Sequence, residues 1–221
     1  MRFSALLFDM DGLMIDTEAI SSQSWHLAAA EVGHRMDEAL IHAMVGLAMP
    51  RCHALLMETF GDATFVDTLH AASRRHYWRL LREGDIPLKP GIVELLEWAS
   101  AQGIPRAVGT ATQRELVNLK LTRTGLKRFF EHSVAGDEVA NSKPAPDVYQ
   151  EAARRLGQPT EACIVLEDSL IGMAAGLAAG ARVVLVPDLV QPGDAERKQA
   201  LAVCQSLHQV LPLLQQGWAS R

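Results

Sequence analysis

Apolar and polar positions follow two different periods along this chain of 221 residues. Residues 4–8 form a short apolar run, the pattern of a strand buried on both faces of a parallel sheet. From residue 16 to about residue 82 the apolar positions keep helical spacing, with no convincing strand. Thr17 is expected to cap a helix over 17–31 that ends at Gly33. Asp37 would cap a helix over 38–45, and Pro50 would open one that runs to Phe60 and is closed by Gly61. Residues 63–82 read as one long amphipathic helix. A stretch rich in Gly and Pro, residues 84–91, then breaks the pattern.

Beyond that linker, strands and helices alternate. Helices are expected at 92–102, 112–124, 145–156, 169–179 and 207–216. Strands are expected at 105–109, 132–136, 163–166 and 182–187. Strands separated by helices imply right-handed crossovers and a doubly wound, Rossmann-like parallel sheet of the α/β class. The first strand joins that sheet, and its connection contains a complete all-helical domain. The expected division is therefore 1–15 (core), 16–85 (helical insert) and 86–221 (core).

Composition narrows the function more than the fold. Hydrophobic residues at 48% and charged residues at 21% are ordinary for a globular protein. A net charge of −5 argues against nucleic acid as a partner. No window holds 18 uninterrupted apolar residues, since the best one, 172–187, is broken by Arg182. The apolar stretch before Asp9 is too short for a signal peptide. Cys52, Cys163 and Cys204 lack paired metal spacing. A cytoplasmic protein with reduced thiols is expected, off the membrane, as a monomer or weak dimer.

The candidate chemistry lies at strand ends, where α/β sheets bind their ligands. The first strand ends in Asp9-Met10-Asp11-Gly12. Residues two apart in an extended chain point to one side, so Asp9 and Asp11 are expected to project together. Gly12 lets the backbone turn away after them. The same four residues also read as a surface turn. The second strand ends at Thr110-Ala111-Thr112, a hydroxyl and backbone N–H group suited to an anion, or simply the cap of the next helix. Lys143 sits between restricted backbone positions in Ser142-Lys143-Pro144-Ala145-Pro146 and offers a compact positive charge for phosphate, or remains a solvated loop lysine. The fourth strand ends at Glu167-Asp168-Ser169, two more carboxylates at the same edge, although Asp168 or Ser169 also reads as the cap of the next helix. Four carboxylates at one sheet edge call for a cation, and all-oxygen ligands suit Mg2+.

In this order and spacing, Asp9-Met10-Asp11-Gly12, Thr110, Lys143 and Glu167-Asp168 resemble the four motifs of the haloacid dehalogenase superfamily of phosphotransferases. Asp16-Thr17-Glu18, Gly136-Asp137-Glu138-Val139 and Lys-Pro-Ala-Pro-Asp resemble its subgroup of small sugar-phosphate phosphatases and β-phosphoglucomutases. The resemblance implies Asp9 as nucleophile and Asp11 as general acid/base. It implies a phosphoryl site formed by Asp9, Met10, Asp11, Thr110, Ala111 and Lys143. It implies Mg2+ held by Asp9, Asp168 and the carbonyl of Asp11, with Glu167 in support. Haloacid dehalogenases proper lack the second aspartate, so Asp11 speaks against dehalogenation.

The expected function is thus a Mg2+-dependent phosphatase of a small phosphorylated metabolite, with the helical insert as a cap that chooses the leaving group. A phosphoglucomutase is the alternative, and a silent binding module a weaker one. Where the mutases carry Gly-x-Ser-Arg, this chain has Ala48 and Met49 in the two positions before Pro50-Arg51. Where they place a histidine five residues after the aspartate matching Asp16, it has Ser21. His26, His42 and His53 are expected to pack or face solvent, as are Arg75, Arg79 and Arg82, which share one helical face.

Overall fold

The computed structural model describes residues 2–44 and 49–218, the side chains of residues 49 and 50 excepted. The loop reading of residues 45–51 falls largely on 45–48, with Ala48, which lie outside the described residues, while the backbone of 49–51 is already helical. The chain forms two compact units, Asp16–Pro87 and Met1–Ile15 with Leu88–Arg221.

The second of these units is built on a parallel sheet. Its strands are β1 (Ala5–Phe8), β2 (Arg106–Gly109), β3 (His132–Val134), β4 (Cys163–Glu167), β5 (Arg182–Leu185) and β6 (Ala202–Val203). Their order is β3-β2-β1-β4-β5-β6. The chain runs from β1 outward through β2 and β3, then crosses to β4 on the other side. That reversal opens a crevice at the carboxyl end of β1. Phe8 stands opposite Val108 on one side and Leu166 on the other, so β1, β2 and β4 deliver their following residues to the same level.

The unit Asp16–Pro87 is helical: α1 (Thr17–Glu31), α2 (Glu38–Met44), α3 (Met49–Phe60) and α4 (Ala63–Glu83). Trp25, Ala28, Ile41, Leu56, Val66, Leu69 and Ala72 share its core. Asp16, not Thr17, caps α1, because its carboxylate accepts the Ala19 N–H at 3.3 Å while Thr17 is already helical and buried. On the helix faces, Arg75 pairs with Glu31 at 2.5 Å, His26 with Glu38 and His53 with Asp67, each at 3.1 Å.

The sheet is covered by α5 (Ile92–Ala101), α6 (Arg114–Arg123), α7 (Asp147–Arg155), α8 (Leu170–Ala178), α9 (Asp194–Gln199) and α10 (Leu207–Trp218). Leu7, Ala107, Val134 and Val165 share one core cluster with Val148, Tyr149 and Ala152 of α7 and Met173 of α8. Two elements, α9 and β6, lie outside those the sequence pattern predicts. A two-residue strand carries no readable alternation, and α9 has no buried residue to give it an apolar stripe. Among the described residues no helix is long and apolar enough to cross a membrane.

Candidate active site

β1 is buried along its whole length and stops at Phe8, so the next residues emerge where the sheet ends. Asp9 is only 6% exposed and its N–H still bonds the Leu166 carbonyl at 3.0 Å. Met10 is fully buried, and its carbonyl accepts the N–H groups of Met14 and Ile15. The turn this creates requires a left-handed residue, and Gly12 supplies it at φ 85°. A Cβ on Gly12 would also lie 2.2 Å from Oδ2 of Asp168, so the glycine leaves the space that Asp168 occupies.

Lys143, which the sequence leaves open as a loop lysine, is buried among acids. Its ammonium donates to Asp9 Oδ1 at 2.5 Å, to Glu167 Oε1 at 2.7 Å and to the Tyr149 hydroxyl at 2.9 Å. Tyr149 in turn donates to Glu167 Oε1 at 2.5 Å. The other oxygen of Glu167 accepts the N–H groups of Asp168 and Ser169 and the Ser169 hydroxyl, at 3.1–3.2 Å. With both its oxygens so engaged, the fully buried Glu167 is a strut under Asp9, Lys143 and Asp168.

Burial sets the electrostatics. It raises Asp9 to about 7, with Glu167 and Asp11 adding and Lys143 opposing. Asp168 is pushed up to about 9 by burial, then by the charges of Asp9 and Glu167. Burial disfavours the Lys143 ammonium, but the carboxylates of Asp9 and Glu167 outweigh it and raise that group. Burial also works against the Glu167 carboxylate, yet Lys143, Tyr149 and the Ser169 N–H hold it below its ordinary value.

Asp9, Glu167 and Asp168 each bring one oxygen within 4.8 Å of the others. Three carboxylates share one ammonium there, an imbalance that a hard divalent cation would correct, and the donors are all oxygen. The residues present therefore fit a metal. The Asp11 carboxylate stands outside this group. It accepts the Thr112 hydroxyl on Oδ2 at 2.5 Å and the Lys120 ammonium on Oδ1 at 2.6 Å.

Thr110 is 2% exposed, and its hydroxyl accepts the Thr112 N–H at 3.2 Å. It does not cap α6, whose first residue is Arg114 and whose N-cap Gln113 makes no side-chain bond. Ala111 is exposed on the loop between them. That loop is pinned from β3: Gly136 N–H bonds the Thr112 carbonyl at 2.9 Å, and a Cβ on Gly136 would lie 2.2 Å from the Ala111 oxygen. Glu138 accepts the Ala135 N–H at 2.9 Å and pairs with Arg114 and Arg155. The Gly136-Asp137-Glu138 stretch thus holds the Thr110 loop in place. Ser169, not Asp168, caps α8 by accepting the Gly172 N–H at 3.0 Å.

Sequence reasoning passed over Tyr149 and Lys120. Tyr149 sits on the apolar face of α7 and looks like any core aromatic. Lys120 carried a signal, because it shares the buried stripe of α6 with Val117 and Leu121, at positions i, i+3 and i+4.

The profile of haloacid dehalogenase-like hydrolases matches residues 6–186. The chain is 37% identical over 204 residues to the protein CbbY of Rhodobacter capsulatus, covering 88% of this chain and 89% of that one. It is 33% identical over 181 residues to a phosphorylated carbohydrates phosphatase of Thermotoga maritima, covering 80% and 81% of the two chains. Among solved structures, one described as a candidate β-phosphoglucomutase of Thermotoga maritima superposes with a TM-score of 0.85 at 27% identity, over 96% of this chain and 99% of that one. A CbbY variant of Rhodobacter sphaeroides in complex with xylulose 1,5-bisphosphate superposes with a TM-score of 0.68 at 28% identity, over 93% and 95%. The motif order, the parallel sheet and a match spanning most of the chain agree: this protein belongs to the haloacid dehalogenase-like hydrolase family.

Proposed function

We propose that this protein hydrolyses the phosphomonoester of a small phosphorylated metabolite, a sugar phosphate or a close analogue, through an aspartyl-phosphate on Asp9. The observation that carries the reading is the pair of aspartates set to different tasks. Asp9 is buried against Lys143 beneath the sheet edge, while Asp11, two residues on, turns to Thr112 and Lys120.

In the first half of the reaction an Asp9 oxygen attacks phosphorus and the bond to the leaving oxygen breaks. Asp11 gives its proton to that oxygen, so an alcohol departs instead of an alkoxide. In the second half, water attacks the phosphoryl group, Asp11 takes its proton, and the Asp9–phosphorus bond breaks. Ester and water become alcohol and phosphate. Lys143 opposes the repulsion between the Asp9 carboxylate and the phosphate dianion. Thr110 and the N–H groups of its loop hold the phosphoryl oxygens. Mg2+ would be held by Asp9, Asp168 and the main-chain carbonyl of Asp11, with Glu167 behind. Bound there, it would supply positive charge against the transferring phosphoryl group.

The helical unit Asp16–Pro87 is proposed to select the leaving group. The relatives named as acting on phosphorylated carbohydrates support a sugar phosphate. The structural likeness to a candidate mutase favours a second reading, in which the phosphoryl group returns to a sugar. A mutase must keep water from the aspartyl-phosphate and bind a distal phosphate. At the two places where mutases supply such groups the chain has Met49, an apolar thioether, and Ser21, which carries no charge near neutral pH. Water therefore takes the second step.

A panel containing fructose 1-phosphate, xylulose 1,5-bisphosphate, glucose 6-phosphate and β-glucose 1-phosphate, assayed with Mg2+ for free phosphate, tests the proposal. Phosphate release is expected, and Asp9→Asn loses all but a trace of it while the far-UV spectrum and melting transition persist. Conversion of β-glucose 1-phosphate to glucose 6-phosphate with little free phosphate, or an active Asp9→Asn protein, would overturn the reading.

A further inference from the structure

Lys120 is 3% exposed, yet it forms an ion pair with Asp11. Lysines are seldom fully buried, because removing an ammonium from water costs several kcal/mol unless a partner compensates. Here α6 turns that side chain inward, in line with Val117 and Leu121, and delivers the ammonium to Asp11 Oδ1 at 2.6 Å. The second Asp11 oxygen accepts the Thr112 hydroxyl at 2.5 Å. The two donors come from the loop and helix that follow β2, so the aspartate in the turn after β1 is gripped from one neighbouring segment.

The two grips differ in a way that matters for proton transfer. An ammonium carries three donors and no acceptor, so an oxygen facing it cannot also hold a proton directed at it. A threonine hydroxyl both donates and accepts, so it can face an oxygen in either protonation state. We infer that Lys120 is a positioning residue for acid/base catalysis: it reserves Oδ1 of Asp11 as a permanent acceptor and so confines the transferable proton to Oδ2, beside Thr112. The inference rests on the proposed role of Asp11 and adds to it the choice of oxygen and the residue that makes the choice.

The consequence is a dependence on the leaving group. p-Nitrophenolate departs without protonation, whereas a sugar alkoxide does not. Since kcat/KM reports only steps up to departure of the leaving group, it isolates the protonation from the later attack of water. General acid catalysis is worth about 10²–10⁴ in rate. Lys120→Met, close in length and apolar, is therefore expected to lower kcat/KM for the best sugar phosphate of the panel on the order of tenfold more than kcat/KM for p-nitrophenyl phosphate. Asp11→Asn, measured beside it, is expected to show the same asymmetry at greater size. Lys120→Ala, which leaves a space instead of an apolar stem, controls for packing and is expected to repeat the asymmetry. Equal losses on both substrates in the lysine variants, with the asymmetry present in Asp11→Asn, would overturn the role of Lys120 alone. Absence of the asymmetry in Asp11→Asn would overturn the reading of Asp11 beneath it. Should the methionine variant fail to fold, the alanine variant decides the matter by the same ratio; if neither folds, Lys120 is a structural counter-ion and the inference fails.

Discussion

Asp9, Glu167 and Asp168 crowd one end of the sheet around a single ammonium, and Tyr149 decides how that ammonium is held. Its hydroxyl accepts from Lys143 and donates to Glu167, so three groups of unlike charge are fixed at once. The ring fills the core against Gly109, where a Cβ would approach it to 3.0 Å. Replacing Tyr149 with Phe keeps the ring and removes both bonds. Stability is expected to fall by at least about 1.5–3 kcal/mol, the range for a single buried hydrogen bond to a charged group, since two are lost. Turnover at saturating substrate is expected to fall on the order of tenfold, since Lys143 loses part of its anchorage. Chemical denaturation and steady-state kinetics measure the two effects separately; unchanged turnover would mean that the hydroxyl merely satisfies Glu167.

At the scale of an element, α8 shows why a helix tolerates glycine in its interior. Gly172 and Gly176 lie one turn apart, on the face turned toward β4 and β5. A Cβ on Gly176 would stand 2.8 Å from Val183, and one on Gly172 would stand 1.8 Å from Oε1 of Glu167. The helix therefore lies close enough to the sheet for its first turn to receive the Glu167 carboxylate. Each glycine costs helix propensity relative to alanine, about 1 kcal/mol, so close approach is what retains it. Gly172→Ala and Gly176→Ala are both expected to destabilise by about 1–3 kcal/mol through overpacking. Only Gly172→Ala is expected to lower turnover as well, because it displaces Glu167 and with it Lys143. Thermal melts and kcat of the folded variants provide the comparison, and equal kcat values would contradict it.

At the scale of the whole molecule, the acidic cluster makes folding depend on pH, and would make it depend on any divalent cation held by its oxygens. Asp9 at about 7 and Asp168 at about 9 both lie above their ordinary value of 3.8. Between about pH 4 and pH 9 the metal-free folded state therefore holds more protons than the unfolded chain. Stability changes with pH as the difference of protons bound, unfolded minus folded, which is negative across this window. These groups thus favour folding at acid pH and lose that effect as pH rises through their folded values. A divalent cation bound to the same oxygens would displace the protons. The melting temperature gained on adding Mg2+ is expected to be small near pH 5 and larger near pH 8. A gain independent of pH, or largest in acid, would show that the ion binds elsewhere.

The alternation of apolar runs, breakers and helical stretches was enough to determine the parallel sheet, the helical insert and the carboxylates at the strand ends. Those features depend on periodicity and on which residue types end each strand, and both are local. Tertiary structure alone decided the pairings. Lys143 could not be told from a solvated loop lysine until α7 and β4 enclosed it with Glu167 and Tyr149. Thr110 and Asp168 could not be separated from helix caps until Gln113 and Ser169 took those places. Asp9 and Asp11 share a direction on paper, yet one faces Lys143 and the other Lys120, because β1 ends at Phe8 and the chain turns at Gly12. Lys120 lies 109 residues from its partner, and no local pattern encodes a contact across that distance. Burial and long-range contact arise only when the sheet closes, and they determine which of the charged residues can take part in chemistry.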